Sequence, residues 1–131
     1  MSEKVLFTGR TRNVGGPNGS ARSSDGFLDL KLAQPHPAAE QLFGAAWSAC
    51  FMGAIDLAAA QKKISLPAAP VIDATIELYT ATGGFFLRAH LYVSLAGLER
   101  DVAQSLVDMA HQICPYSKAT RGNIDVSVTL A

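Results

Sequence analysis

Apolar and polar residues alternate in several short segments of the chain, which is the two-residue period of a β-strand. Within residues 23–32, for example, Asp29 and Lys31 alternate with leucines. Glycine-rich turns at residues 15–19 and 83–84 separate neighbouring segments, as they do in β-hairpins. The pattern therefore predicts two hairpins and one further strand. The predicted strands are residues 5–14, 23–32, 71–81, 85–96 and 124–131.

Two longer segments have the composition and the spacing of helices. Residues 38–63 contain helix formers throughout and no proline, and apolar residues occupy every face around Cys50. This pattern predicts a central helix that is enclosed on all sides. In residues 98–117, apolar residues recur at four-residue steps that end at Cys114. Because a proline disfavours helical geometry in the residue before it, Pro115 places Cys114 at the C-terminal edge of this second helix.

The order β-β-α-β-β-α-β predicts an α+β fold in which helices pack on antiparallel sheet. A chain of 131 residues suits a single domain over residues 1–131. Apolar residues make up 49% of the chain and charged residues only 17%, which indicates that some apolar surface is buried against another chain. A dimer is therefore expected.

The charge balance and the absence of targeting signals argue against some partners and locations. Eleven Lys and Arg balance eleven Asp and Glu, so no net field draws the protein to nucleic acid or to an anionic membrane. The N-terminal residues lack a signal-peptide pattern, and no run approaches the roughly 18 apolar residues of a membrane span. A cytoplasmic protein is expected. In a reducing compartment, two cysteines favour a catalytic or redox role over a permanent disulfide.

The residues that carry reactive groups leave several alternatives open. Cys50 and Cys114 have no CxxC spacing, and free cysteines are often inert core residues. His111 shares a helical face with Cys114, but no further ligand motif accompanies the pair, so no metal site is predicted. The glycine pairs match no nucleotide-binding motif. Trp47 and Phe51, four residues apart on one helix, suit either the core or the wall of an apolar substrate pocket.

Three blocks of sequence together resemble the organic hydroperoxide resistance branch of the OsmC family. These blocks are SSDGFLDLKL near the N-terminus, AEQLFGAAWSACFMGAI around Cys50 and HQICPYSKATRGNIDVSVTL around Cys114. The similarity runs from about residue 4 to the C-terminus. The resemblance implies an OsmC-like fold, in which antiparallel sheets pack around a long buried central helix. It also implies an intertwined homodimer with two active sites at the subunit interface.

The resemblance implies a chemistry for the two cysteines. Cys50 matches the residue whose thiolate attacks an alkyl or lipid hydroperoxide and becomes a sulfenic acid. Cys114 matches the residue that resolves this acid as a disulfide. An external dithiol, a lipoyl group on a partner protein or another dithiol reductant, then reduces the disulfide, and no cofactor is bound. The apolar residues near Cys50 suggest a substrate pocket formed by Phe43, Trp47, Phe51 and Met52.

A buried thiol needs a positive group close by, because burial raises its pKa. In the family this group is an arginine that follows the Gly-Gly of the first turn and is held by the glutamate of the EQLF motif, which matches Glu40. In this chain Pro17 stands at the arginine's place. Arg10, Arg12 and Arg22 lie in the same hairpin region, and Arg22 is the preferred candidate.

The position of Glu40 limits what it can do. It lies ten residues before Cys50, which is about 15 Å along a continuous helix, so Glu40 is predicted to act through an arginine. The departure at Pro17 keeps two alternatives open. In the first, the chain is a hydrophobic-ligand binding protein of the same fold with weakened peroxidase activity. In the second, it is a redox sensor whose oxidation state alters a partner.

Overall fold

The computed structural model describes residues 2–32 and 39–131. The chain divides into two compact units, Met1–Ala38 and Ala39–Ala131. A single domain over residues 1–131 stays a prediction. The predicted first residue of the central helix, residue 38, lies outside the described residues.

The described part of the first unit contains a three-stranded antiparallel sheet. Strand β1 spans Thr11–Val14, β2 spans Ser20–Ser23 and β3 spans Asp29–Lys31, in the order β1-β2-β3. The prediction of one hairpin from residues 5–14 and 23–32 is therefore wrong, because tight turns on both sides of β2 add a strand. Gly16 and Gly26 have φ angles of 88° and 81° in these turns, a conformation that glycine adopts without steric cost.

The second unit combines three helices with a three-stranded sheet. Its elements are α1 Ala39–Gln61, β4 Val71–Ala81, β5 Gly84–Ser94, α2 Arg100–Ile113, α3 Pro115–Thr120 and β6 Asp125–Leu130. Strands β4 and β5 form the predicted antiparallel hairpin, whereas β5 and β6 are parallel. The α+β class is confirmed, but the expectation of purely antiparallel sheet is wrong for this last pair. The helices between β5 and β6 carry the chain back to the end at which β5 began, as a parallel pair requires.

One face of this sheet packs against the helices. Alternate residues of β5 point to that face, which is why Ala89, Leu91 and Val93 are buried. The same face of β4 and β6 contributes Ile72, Ala74, Ile76, Val126, Val128 and Leu130. These residues join Trp47, Phe51 and Ile55 of α1 and Leu106, Val107 and Ala110 of α2 in one hydrophobic core.

Helix α1 buries one face and leaves the opposite face exposed in the single chain. Buried residues recur along it at helical spacing, from Trp47 through Phe51 and Ile55 to Ala58. The other face carries Ala45, Ala49, Gly53, Asp56 and Leu57, all of which are exposed. A central helix enclosed on all sides is therefore wrong for the single chain, because sheet and helices of this unit cover only one side of it.

The composition of α1 also meets a test for membrane spans. An 18-residue window has a mean hydropathy of 1.5, so α1 is long and apolar enough to cross a membrane by length and composition alone. The indication is weak, because the core helix of a globular protein passes the same test. Trp47 and Phe51 show why α1 is so apolar, since both lie fully buried in the core. The cytoplasmic location stays a prediction.

The predicted helix over residues 98–117 is broken at Cys114. Helix α2 ends at Ile113, Cys114 has φ −59° and ψ 119°, and α3 begins at Pro115. Proline at the first position of a helix lacks only an N–H that would have no intrahelical partner. The same proline therefore ends α2, as expected, and starts a further short helix, which the sequence reasoning did not predict. The predicted place of Cys114 at the C-terminal edge of α2 is confirmed.

Candidate active site

The two cysteines lie side by side within the second unit. Cys50 is near the middle of α1, and Cys114 is the linking residue between α2 and α3. Both are free thiols, and their Sγ atoms lie 3.3 Å apart, within hydrogen-bond distance. A disulfide bond is about 2.05 Å long, so roughly 1 Å of further approach would close one. The arrangement is a reduced dithiol that can be oxidised with little movement.

The two sulfurs differ in access to solvent and in environment. Cys114 is fully buried, whereas Cys50 is only partly buried. Burial is the main effect that raises the pKa of Cys50 above its usual value, and the hydrogen bond with Cys114 raises this pKa further. A hydrogen bond from the backbone N–H of Tyr116 acts in the opposite direction. The net effect keeps Cys50 in the thiol form at neutral pH, so an efficient nucleophile here needs an additional positive group.

A buried hydroxyl connects the three helices next to the dithiol. Trp47 Nε1 on α1 donates to Ser117 Oγ on α3 across 3.3 Å, and Ser117 Oγ lies 2.9 Å from His111 Nδ1 on α2. Burial lowers the pKa of His111, and the nearby Arg121 cation lowers it further, whereas Asp108 raises it. The neutral imidazole is therefore favoured in the folded protein.

The four residues predicted to form an apolar pocket occupy different environments. Trp47 and Phe51 are fully buried core residues. Phe43 stacks against Trp47 with ring centroids 5.6 Å apart, and it lines a small cavity of about 260 Å³. Met52 is partly buried and lines a different and larger groove. Trp47 and Phe51 thus serve the core in the single chain, and a role of these four residues in substrate binding stays a prediction.

The larger groove runs along the exposed side of α1 next to β4. Its volume is about 470 Å³, and it brings the predicted site residues Glu40 and Met52 to one surface. Most of the other lining side chains are small. The lining residues are Glu40, Gln41, Gly44, Ala45, Ser48, Ala49, Met52, Ile72 and Ala74. Among the described residues, no cluster of three or more His, Cys, Asp and Glu side chains could hold a metal ion.

The predicted charged pair of the site is Glu40 and Arg22. Arg22 Nε forms a salt bridge with Asp29 Oδ1 at 3.2 Å, across the β2–β3 pair. Within the described ranges, residues 2–32 and 39–131, Glu40 makes no salt bridge. Helix α1 is continuous from Glu40 to Cys50, so the separation expected from helical geometry holds. The pairing of Glu40 with Arg22 stays a prediction, as do Arg10 and Arg12 as replacements.

Comparison with known proteins supports the resemblance found in the sequence blocks. The sequence model of the family described as OsmC-like protein matches residues 32–129. The chain belongs to the OsmC-like family. Its similarity to the organic hydroperoxide resistance protein of Xanthomonas axonopodis pv. citri is 45% identity over 138 residues, with 98% of this chain and 97% of that protein covered. This similarity over nearly the whole length places the chain in the organic hydroperoxide resistance branch of the OsmC-like family.

Two solved structures of the same branch share the fold. The crystal structure of OhrB, the organic hydroperoxide resistance protein of Bacillus subtilis, has a TM-score of 0.84 at 38% identity, covering 97% of this chain and 100% of that chain. The structure of an organic hydroperoxide resistance protein from Legionella pneumophila has a TM-score of 0.87 at 39% identity, covering 98% and 99%. The predicted family and OsmC-like fold are therefore confirmed.

Within this OsmC-like chain, the structure brings together two of the four predicted catalytic residues, Cys50 and Cys114. Sequence reasoning missed the hydroxyl of Ser117; it predicted no metal site at His111 and gave that residue no other role. The signal for Ser117 was a small polar residue three positions after a predicted buried cysteine, in the segment CPYS. That signal is weak, because the partners Trp47 and His111 come from two other helices.

Proposed function

We propose that this chain is a thiol peroxidase that reduces organic hydroperoxides in oxidative stress defence. The observation that carries the proposal is the Cys50–Cys114 dithiol, with its sulfurs 3.3 Å apart. The relatives named organic hydroperoxide resistance proteins support the same substrate class.

The reaction uses the two thiols in sequence. The Cys50 thiolate attacks one oxygen of the hydroperoxide, the O–O bond breaks, and an alcohol leaves while Cys50 becomes a sulfenic acid. The Cys114 thiol then attacks the Cys50 sulfur, which releases water and forms the disulfide. An external dithiol restores both thiols and is itself oxidised to a disulfide. We propose a lipoyl group on a partner protein as this reductant, with no cofactor bound by the chain.

The different burial of the two thiols supports this division of roles. A hydroperoxide with an alkyl chain can reach a partly buried sulfur more readily than a fully buried one, and Cys114 is fully buried. Cys114 also lies within hydrogen-bond reach of Cys50, so it can attack a sulfenic acid there without entering solvent. Cys50 is therefore the proposed peroxidatic residue and Cys114 the proposed resolving residue.

The first step requires a positive group that favours the Cys50 thiolate, because burial raises the pKa of Cys50. We assign this role to Arg22, held by Glu40. The salt bridge to Asp29 uses Arg22 Nε, which leaves the two terminal nitrogens of the guanidinium for other acceptors. The proposed apolar pocket of Phe43, Trp47, Phe51 and Met52 would favour organic hydroperoxides over hydrogen peroxide.

The proposal includes a homodimer. The exposed face of α1 carries small and apolar residues, among them Ala45, Ala49, Gly53 and Leu57, which suit close contact with a second copy. Light scattering coupled to size exclusion should give twice the mass of the 13.8 kDa chain. A monomer at micromolar concentration would contradict this part of the proposal.

The decisive experiment mixes fully reduced protein with one equivalent of cumene hydroperoxide and, separately, of hydrogen peroxide. We expect rapid loss of both thiols with the organic oxidant, and an intact mass lower by two hydrogens. The Cys114→Ser variant should retain a sulfenic acid on Cys50 that dimedone traps, and the Cys50→Ser variant should not react. Slow oxidation without preference for the organic oxidant would contradict the peroxidase and favour the hydrophobic-ligand binding alternative.

A further inference from the structure

Ser117 lies at the meeting point of the three helices that carry the dithiol. Its side chain is fully buried, and its hydroxyl oxygen contacts Trp47 on α1 and His111 on α2. The same helices position the sulfurs, since Cys50 is on α1 and Cys114 links α2 to α3. Ser117 is three residues after Cys114, and Trp47 is three residues before Cys50. The hydroxyl contacts therefore lie about one helical turn from each sulfur.

The chemistry of the indole group fixes the direction of one of the two hydrogen bonds. Indole Nε1–H is a donor only, so Ser117 Oγ accepts the bond from Trp47. Ser117 Oγ keeps its hydrogen and a second lone pair for His111 Nδ1, so the direction of this second bond follows the imidazole tautomer. The lowered pKa of His111 favours the neutral imidazole, in which one ring nitrogen donates and the other accepts. All three polar groups are satisfied only while the three helices keep this geometry.

Helix α3 needs such an anchor because it is short. It has six residues, and an isolated helix of that length is not stable in water. Among the described residues, its other buried hydroxyl, on Thr120, bonds only to carbonyl oxygens of α3 itself, those of Tyr116 and Ser117. Of the two buried hydroxyls, Ser117 is thus the one that ties α3 to the neighbouring helices.

We propose that Ser117 is a positioning residue that holds Cys114 within reach of Cys50, through its bonds to Trp47 and His111. This inference rests on the dithiol of the proposed function. The hydroxyl restricts α3, and with it the residue that immediately precedes α3, so the buried thiol stays at 3.3 Å from Cys50. When Cys50 is oxidised, Cys114 is already placed to attack it. Ser117 itself does not touch the reacting atoms.

Removal of the Ser117 hydroxyl should change the equilibrium between the Cys50–Cys114 dithiol and its disulfide. Ser117→Ala leaves the Trp47 N–H without its acceptor and His111 Nδ1 without its hydrogen-bond partner. The reduced form loses its restraint, whereas the oxidised form is still held by the disulfide. The equilibrium constant for forming the Cys50–Cys114 disulfide from glutathione disulfide should therefore fall about tenfold, the factor that corresponds to loss of roughly one buried hydrogen bond.

The experiment equilibrates wild type and variants in glutathione buffers of graded ratio and measures the disulfide fraction by mass after acid quenching. Thr120→Val is the matched control, because it removes a buried hydroxyl from the same helix that bonds only within α3. Trp47→Phe removes the indole donor from the opposite side of the bridge, so it should shift the equilibrium in the same direction. The urea midpoint of each variant shows that it is folded and separates the equilibrium shift from a general loss of stability.

The outcomes distinguish the inference from the proposed function. A tenfold shift in Ser117→Ala and a shift of the same sign in Trp47→Phe, with Thr120→Val close to wild type, is the expected result. Equal equilibria in Ser117→Ala and Thr120→Val would overturn the positioning role. Wild type that forms no intramolecular disulfide would overturn both. Wild type that forms the disulfide with glutathione but does not react with hydroperoxide would overturn only the proposed function.

Discussion

The two units of the chain differ in what holds their side chains in place. In residues 39–131, sheet and helices enclose a core in which Trp47, Phe51 and Leu91 are fully buried. In residues 2–32, the only buried residues are Gly19 and Ala21, and large apolar side chains remain exposed. The first unit is therefore shaped by turns and backbone hydrogen bonds, and the second by packing.

The residues of the proposed chemistry are divided between these two units. The dithiol and the Ser117 hydroxyl lie wholly in the packed unit, so their geometry follows from its core. The proposed cation, Arg22, lies in the unit without a core, where its described partner is the exposed Asp29. Changes in the core around the dithiol should therefore alter stability and thiol exchange. Changes at Arg22 should alter the reaction with hydroperoxide.

The largest expected effect is on the free energy of unfolding, and it is tested by truncating one phenylalanine in each unit. Phe51→Ala removes a fully buried side chain, and a phenylalanine truncation in a core lowers the free energy of unfolding by about 3–5 kcal/mol. Phe27 is 92% exposed, so Phe27→Ala should change the same quantity by less than about 0.5 kcal/mol. Urea denaturation followed by circular dichroism measures both. A loss above 2 kcal/mol in Phe27→Ala would show that another surface covers this residue in solution.

The second prediction tests the proposed activation of Cys50 by Arg22 and Glu40. If Arg22 and Glu40 favour the Cys50 thiolate, Arg22→Gln and Glu40→Gln should each slow the reaction with cumene hydroperoxide at pH 7 by about tenfold, the effect of one unit in a thiol pKa. The glutathione equilibrium of the dithiol should not change. Since the raised pKa of Cys50 favours the thiol, the rate should increase with pH in every variant.

Arg12 provides the matched control for this prediction. It lies directly opposite Arg22 in the β1–β2 register, so Arg12→Gln removes the same charge from the neighbouring position. A loss of rate in Arg12→Gln with none in Arg22→Gln would transfer the role to Arg12. Unchanged rates and pH profiles in Arg22→Gln and Glu40→Gln would mean that these two residues do not activate Cys50.

The same contrast explains how far the sequence could predict the structure. In the packed unit, helix α1 and strands β4, β5 and β6 lie within three residues of their predicted ends. The strands follow from the two-residue period that burial of one face imposes, and α1 follows from its helix formers and the absence of proline. In the first unit the strands have three or four residues and little burial. No alternation of apolar and polar residues therefore indicated the extra strand β2.

Some features depend on contacts between elements that are distant in the sequence. The local pattern of residues could not predict these features. The parallel pairing of β6 depends on the path through α2 and α3, and the hydroxyl bridge of Ser117 depends on three helices. The pairing of Cys50 with Cys114 came from the family resemblance, since a separation of 64 residues carries no signal by itself.

The third prediction concerns the end of α1 and has a smaller expected effect. Lys63 has φ 56°, a left-handed conformation, and the N–H groups of Lys63 and Ile64 bond back to Ala60 and Ala59 in the manner of a Schellman cap. Lys63→Gly should raise the free energy of unfolding by about 0.5–1 kcal/mol, because glycine has no steric cost there. The control Lys62→Gly, one residue earlier, should lower it. A loss of stability in Lys63→Gly would show that the lysine side chain itself contributes.

The smallest expected effect is at the salt bridge of the first unit. The side chains of Arg22 and Asp29 are 69% and 64% exposed, and a pair so open to solvent contributes little. Asp29→Asn should therefore change the free energy of unfolding by less than about 0.5 kcal/mol, and the change should vanish at high salt. Urea denaturation at low and high ionic strength measures it. A loss above 1 kcal/mol would mean that charge pairing, rather than turns and backbone hydrogen bonds, holds the first unit together.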